Sequence, residues 1–345
     1  MSGVVELGQE PILQIRDLRT SFATSEGIVG AVDGVSFTVR RGEAFGLVGE
    51  SGCGKSATCR SIIRLLPAHA RTAGEVRFAG RNLLEASDAE MRRVRGGEIS
   101  MIFQDPMSAL NPVLRVGDQV AEAVQAHRGG SHRAASARAL ELLRLVGIPA
   151  AERRLREYPH QFSGGMRQRV LIAIALAGEP KILLADEPTT ALDVTIQDQI
   201  LKLIVRLQRE LGMSVILVSH DLGVIAQVCQ RVAVMYAGQI IEEGEVGTVL
   251  RSPRHPYTMG LLASLPGLEA RQRYLRPIAE APPSLLAPPP GCRFHPRCAY
   301  AVDQCRSWTP ELLAVGPGHG AACWRQDAIR AEADATGVDV GRETA

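Results

Sequence analysis

The 345 residues are 46% hydrophobic and 22% charged, with a net charge of +2. That balance fits a folded chain of one large domain plus a smaller one, and argues against both nucleic-acid binding and a polybasic membrane anchor. No basic region precedes an apolar stretch at the N-terminus, and no apolar run approaches the ~20 residues that span a bilayer. The chain is therefore expected in the cytosol, where seven cysteines read as packing, metal or redox residues rather than disulfides.

In chain order, Glu43–Gly49 (EAFGLVG) reads as a short buried strand, and ATCRSIIRLL as a helix. Between them, GESGCGKS matches the phosphate-loop pattern G-x-x-x-x-G-K-[ST] in its required strand–loop–helix context. The glycines let backbone N–H groups curl toward phosphates, and the helix N-terminus adds a favourable dipole. Lys55 supplies charge for the β- and γ-phosphates of a nucleoside triphosphate, and Ser56 is a magnesium ligand. GDQVAEAVQAHR and SARALELLRLVGI, separated by a turn-like GGS, predict two amphipathic helices. Phe162–Gly178 (FSGGMRQRVLIAIALAG) predicts a helix with Ser163 as N-cap and with Gly164 and Gly165 allowing close backbone approach. It reads either as an ordinary capped helix or as a second anion site.

KILLADEP is an apolar run ending in two acids, the pattern of a central parallel strand buried on both faces. Ligands collect at the carboxyl ends of such strands. Asp186 is then expected at the magnesium through a water, and Glu187 at the attacking water as orienter or base. SVILVS predicts a second strand, ending in His220 at the same edge, within reach of the γ-phosphate. Farther on, APPSLLAPPPG predicts an extended, semi-rigid spacer. Cys292, Cys298, Cys305 and Cys323 follow, spaced more widely than zinc knuckles, with His295 and His319 as candidate zinc ligands. Cys53, Cys59 and Cys229 read as packing residues. Beyond Arg325, low apolar content predicts a mobile tail over 326–345.

With the phosphate loop, the paired acids and the SGG helix in this order, the chain resembles the ATPase subunits of ABC transporters from Ile12 to about His255. The resemblance implies an α/β fold. It comprises a RecA-like P-loop sheet with an antiparallel β subdomain, a helical subdomain at about 106–178, and a small Cys-rich extension at 256–325. It implies ATP and Mg²⁺ as cofactors. Gly49, Ser51, Gly52, Cys53, Gly54, Lys55, Ser56 and Ala57 would hold the nucleotide, with Phe22 stacking on adenine. Val29 competes with Phe22, because ATSEGIVG looks inserted after it. Gln104 would join magnesium to the membrane partner, and Asp193 would lie in the loop crossing the dimer interface. Ser163, Gly164 and Gly165 would close over ATP held by another subunit. Where the commonest signature reads LSGGQ, this chain has Phe162 and Met166, so glutamine's side-chain hydrogen bond is absent. Arg115, Tyr158, His160 and Gln161 would flank a groove that receives a permease helix.

GCRFHPRCAYA…QC resembles the C-terminal extension of oligopeptide and dipeptide importer ATPases, associated with a [4Fe–4S] cluster. Such a cluster takes four thiolates, with zinc as the alternative. The implied role is an ATP-hydrolysing subunit powering import of peptides or a related small solute. Implied partners are a sister ATPase in a heterodimer, two permease subunits and an extracytoplasmic solute-binding protein, at the cytoplasmic face of the membrane. The alternatives are a soluble ABC ATPase acting on ribosomes or nucleic acid, disfavoured by the single cassette, and a nucleotide sensor, disfavoured by an intact Glu187 and His220.

Overall fold

The computed structural model describes residues 10–104, 109–190, 192–264, 278 and 281–329. The strands are β1 (Pro11–Thr24), β2 (Gly27–Arg40), β3 (Ala44–Val48), β4 (Ala70–Phe78), β5 (Arg81–Asn82), β6 (Ile99–Ile102), β7 (Ile182–Asp186), β8 (Ser214–Ser219), β9 (Arg231–Tyr236), β10 (Gln239–Glu245), β11 (Leu313–Gly316) and β12 (His319–Ala321). The helices that position functional residues are α1 (Lys55–Ile62), α2 (Val116–Arg128), α3 (His132–Leu145), α4 (Gly164–Ala175), α5 (Val194–Leu211) and α6 (Pro256–Ala263).

The chain divides into two compact units. One holds Val39–Ala44 and Glu85–Val218. Here β7 pairs in parallel with both β6 and β8, and β7 and β8 are buried at every residue. Runs such as ILLAD and SVILVS suit strands covered on both faces, since alternation would put polar groups into the core. Between Gln104 and β7 the unit is helical: α2, α3 and α4 come from the segments expected to form a helical insertion. Ser131 caps α3 by accepting from the Ala134 N–H. α5 buries Ile200, Leu201, Leu203, Ile204 and Leu207 on one face and stops at Gly212, φ 64°, the left-handed C-terminal residue that glycine adopts most readily.

The second unit holds Ile12–Thr38, Phe45–Leu84 and the chain from Ser219 onward. Its antiparallel sheet runs β2-β1-β4-β5, and a second run of neighbours is β3-β9-β10-β12-β11. β3 and β9 are parallel, and the remaining pairs in that run are antiparallel. β11 and β12 belong to the Cys-rich extension, and β12 pairs with β10 through Glu242 opposite Ala321 and Glu243 opposite Gly320.

The residues that look inserted after Phe22 lie in a hairpin, with β1 continuing to Thr24 and β2 beginning at Gly27. Two other expectations need correction. The proline-rich segment is not a free spacer. The Gly30 N–H of β2 donates to the Leu285 carbonyl at 3.3 Å, and Leu286 reaches to 3.0 Å of where a Cβ on Gly27 would stand. Docking satisfies backbone groups that proline leaves short of donors. The tail is ordered at its start, for residues 326–329 are helical and Ile329 is fully buried. One well-placed apolar residue outweighs the polar composition around it, and residues 330–345 lie outside the described set.

Candidate nucleotide site

The phosphate loop runs from the end of β3 into α1, as the motif requires. A Cβ on Gly49 would stand 2.1 Å from the Met235 carbonyl oxygen, and one on Gly54, at φ 108°, would stand 2.2 Å from the Ala31 oxygen. Glycine is therefore required at both positions, by close packing of the loop against the sheet behind it. Ser51 and Gly52 are exposed at the tip, and Cys53 is buried. Burial pushes the Cys53 thiol above its ordinary value, which suits packing rather than reactivity. Lys55 is only 4% exposed, and its ammonium donates to the Gly49 and Glu50 carbonyls at 2.7 and 2.9 Å. Ser56 and Ala57 open the first turn of α1. Phe22 lies half-buried on β1 opposite Ala70, its ring 6.1 Å from that of His69.

Sequence reasoning passed over Glu50. Its backbone N–H donates to the Tyr257 hydroxyl at 2.8 Å. Its carboxylate takes two bonds from Arg297, at 2.7 and 2.9 Å. Both partners lie more than 200 residues downstream, so nothing local in the loop could have pointed to them.

Of the residues expected to act in hydrolysis, Gln104, Asp186 and Glu187 belong to the other unit, where Asp186 and Glu187 stand at the end of β7 and Gln104 follows β6. Asp186 closes β7 and is fully buried. Glu187 follows with φ 47°, a left-handed conformation uncommon for a residue with a side chain and typical of sites that over-determine their geometry. Its backbone N–H is held by the Val218 carbonyl of β8 at 3.1 Å. The Gln104 amide and the Thr190 hydroxyl both donate to its Oε2 at 2.9 Å. Gln104 and Glu187, read from motifs 83 positions apart, are thus brought into contact; Thr190 was missed. His220 is exposed just after β8.

Ser163 caps α4 by accepting from the Met166 N–H at 3.3 Å, and it and Gly164 are exposed. Gly165 is buried, and a Cβ there would meet Ile196 of α5 at 2.5 Å. The second glycine therefore serves helix packing, while the first leaves the helix end open. Asp193 caps α5 by accepting from the Ile196 N–H at 3.0 Å. Tyr158, His160 and Gln161 share a groove of about 600 Å³ with Glu152, Arg153, Arg156 and Glu157. Arg115, the residue preceding α2, is not among its lining residues.

Cys305 is buried, and Cys292, Cys298 and Cys323 are half-buried. The Cys292 N–H donates to the Cys305 carbonyl at 2.8 Å, joining two of the four positions through their backbones. Backbone N–H groups point at three of the sulfurs, from Phe294 to Cys292, from Tyr300 to Cys298 and from Arg325 to Cys323, while the His295 N–H donates to the Cys292 carbonyl at 2.9 Å. Burial pushes the Cys298 thiol up to about 11 and Cys323 up to about 12. Among the described residues, no three His, Cys, Asp or Glu side chains are arranged to hold an ion. The two histidines are engaged elsewhere. His319 Nε2 lies 2.8 Å from buried Glu242, and His295 Nδ1 lies 2.9 Å from the Cys292 carbonyl.

Comparison with known proteins settles the family. The ABC transporter family profile matches residues 32–190, and that of the oligopeptide/dipeptide transporter C-terminal region matches residues 241–305. A probable peptide ABC transporter ATP-binding protein of Sinorhizobium fredii is 54% identical over 321 residues, covering 92% of this chain and 96% of its own. The dipeptide transport ATP-binding protein DppD of Bacillus subtilis is 53% identical over 320 residues, with the same coverage. The chain belongs to the ATP-binding proteins of peptide ABC transporters. A dimeric ATP-binding cassette solved with ADP and phosphate superposes on this ABC ATPase with a TM-score of 0.60. It is 31% identical and covers 68% of the present chain and 98% of its own.

As an ABC ATPase the chain hydrolyses ATP. The phosphate loop has backbone donors and the Lys55 charge that would suit phosphates. Ser56 in one unit and the buried Asp186 in the other each carry a hard oxygen donor of the kind that magnesium takes. No helix among the described residues is long and apolar enough to cross a membrane.

Proposed function

We propose that this ABC ATPase powers import of peptides or a chemically related solute, as one of two nonidentical ATPases beneath a pair of permease subunits at the cytoplasmic membrane face. The observation that carries this reading is the pairing of a transporter cassette with the oligopeptide/dipeptide C-terminal region in one chain. Glu187, fixed by Gln104 and Thr190, is the group that takes a proton from the attacking water, and His220 contacts the γ-phosphate. Asp193 and the Ser163–Gly165 turn meet the sister subunit. Co-purification of the tagged chain with two permease subunits and a second ATPase, and ATP-dependent peptide uptake by that complex in vesicles, is the expected result. Purification with ribosomes or nucleic acid in place of a permease overturns the reading.

We infer further that the four late cysteines hold [4Fe–4S]. Among the described residues, no three of these side chains are arranged to hold an ion. The donor set nevertheless suits the cluster by chemistry, being four thiols with backbone N–H groups directed at three sulfurs, the outer-shell bonding that tunes thiolate-held clusters. Burial raises the Cys292, Cys298 and Cys323 thiols toward their protonated forms, and a bound metal reverses that preference. The side-chain commitments of His295 and His319 weigh against a mixed zinc site. Anaerobically purified protein should be brown, with iron and acid-labile sulfide in near-equal amounts, and Cys→Ser at any of the four should bleach it. Zinc without sulfide overturns the cluster.

A further inference from the structure

We propose that Arg297 is a positioning residue for the phosphate loop, through which the C-terminal extension sets the affinity for nucleotide. Glu50 is held at three points within the unit that carries the loop. Its N–H bonds Tyr257, its carbonyl accepts from Lys55, and its carboxylate receives both arms of the Arg297 guanidinium. The Arg297 side chain is 3% exposed, lies over the Tyr236 ring at 5.8 Å, and donates to the Tyr236 hydroxyl at 3.3 Å. Glu50 lowers the acidity of Arg297 still further, so the guanidinium remains charged at every accessible pH.

The surroundings make this a rigid mount. Phe294, one turn before Arg297, packs edge-on to Tyr236 at 5.1 Å and to Tyr257 at 5.5 Å. All three rings are buried. The extension therefore supplies both the aromatic wedge and the cation at one end of the phosphate loop. Two effects follow. A carboxylate within a loop that must receive a triphosphate repels it unless neutralised, and Arg297 supplies that neutralisation at contact distance. The fork also fixes the peptide on which Lys55 and the loop amides depend. Lysine, a point charge, cannot reproduce the paired bonds.

The test uses the full-length chain and trinitrophenyl-ATP, with thermal unfolding of each variant as the measure of folding. Arg297→Gln should weaken nucleotide binding by roughly tenfold, because it leaves the Glu50 charge uncompensated beside the phosphates. Arg297→Lys should fall between that variant and wild type. In the Arg297→Gln background, Glu50→Gln should recover most of the lost affinity, since the repelling charge is gone. In the assembled complex the Arg297→Gln change should raise KM for ATP and leave kcat within about twofold, as lost ground-state binding does. His319→Gln, which breaks the Glu242 contact between β12 and β10 and touches no loop residue, should lower the melting temperature without changing affinity. Wild-type affinity in folded Arg297→Gln, or equal loss of affinity in His319→Gln, or no recovery in the double variant, overturns the proposal.

Discussion

Glu187 condenses the residue-scale logic of this ATPase. Its backbone sits in the left-handed region while Gln104 and Thr190 both hold Oε2, so the carboxylate is fixed by one partner just after β6 and one in the turn that follows β7. Glu187→Gln keeps size and hydrogen bonding yet cannot accept a proton. ATP should still bind, and steady-state hydrolysis by the complex should fall on the order of 10²–10⁴-fold; turnover near wild type would move the base elsewhere. Lys55→Ala, by contrast, should abolish ATP binding, read by nucleotide titration. Both residues were legible because their motifs combine unusual composition with a fixed place at a strand end. Thr190 and Glu50 were not, since their roles depend on bonds to residues that the chain brings together only on folding. His255 adds a pH dependence. It is 1% exposed, its ring accepts the Tyr257 N–H at 3.0 Å, and its own N–H bonds Glu242 at 3.1 Å. Burial depresses its pKa from 6.5 to about 3, so between those values the unfolded chain binds the extra proton and acid favours unfolding. This contribution is complete above pH 6.5 and lost as pH falls toward 3. His255→Asn retains a side-chain acceptor without the titration and should flatten the stability profile across that window in urea denaturation. An unchanged profile would refute the assignment.

At the scale of elements, α4 shows how much a capped helix reveals and how much it hides. Ser163 was readable as the N-cap because serine before an apolar helical pattern satisfies an orphan N–H, and it does so for Met166. Both glycines read as allowing close backbone approach, yet Gly164 faces solvent and Gly165 admits Ile196 of α5. Sequence spacing fixes where a helix starts, whereas the neighbour lying across it follows from the 18-residue connection between Ala175 and Val194. Gly165→Val should therefore cost about 1–3 kcal/mol of stability through overpacking, measured as a lower urea midpoint. Ser163→Arg should cost about 1 kcal/mol, the worth of the lost cap, while blocking ATP-driven dimerisation. A larger loss of stability in Ser163→Arg than in Gly165→Val would erase the distinction between them.

At the scale of the molecule, the α/β architecture and its helical insertion were legible from strand and helix periodicity and from motif order. The placement of the extension was not. Proline composition suggested separation, but the segment lies along β2, and β12 completes a sheet begun by β9 and β10. Long-range strand pairing carries no local signature when the partner strands are three and four residues long. Seen from β10, the extension is a cover. Without it, the outer N–H and C=O groups of Glu242 and Glu243 that now face β12 would line an open edge beside Ile240 and Ile241, which are 8% and 7% exposed in the intact chain. An open apolar edge is a template for adding strands from other chains. A chain ending at Glu280 should accordingly self-associate, visible as rising light scattering at micromolar concentration. The same chain kept monomeric would show that β10 tolerates exposure. A part made after the strands it covers is thus the one that keeps them from finding the wrong neighbour, leaving nascent cassettes vulnerable until it emerges from the ribosome.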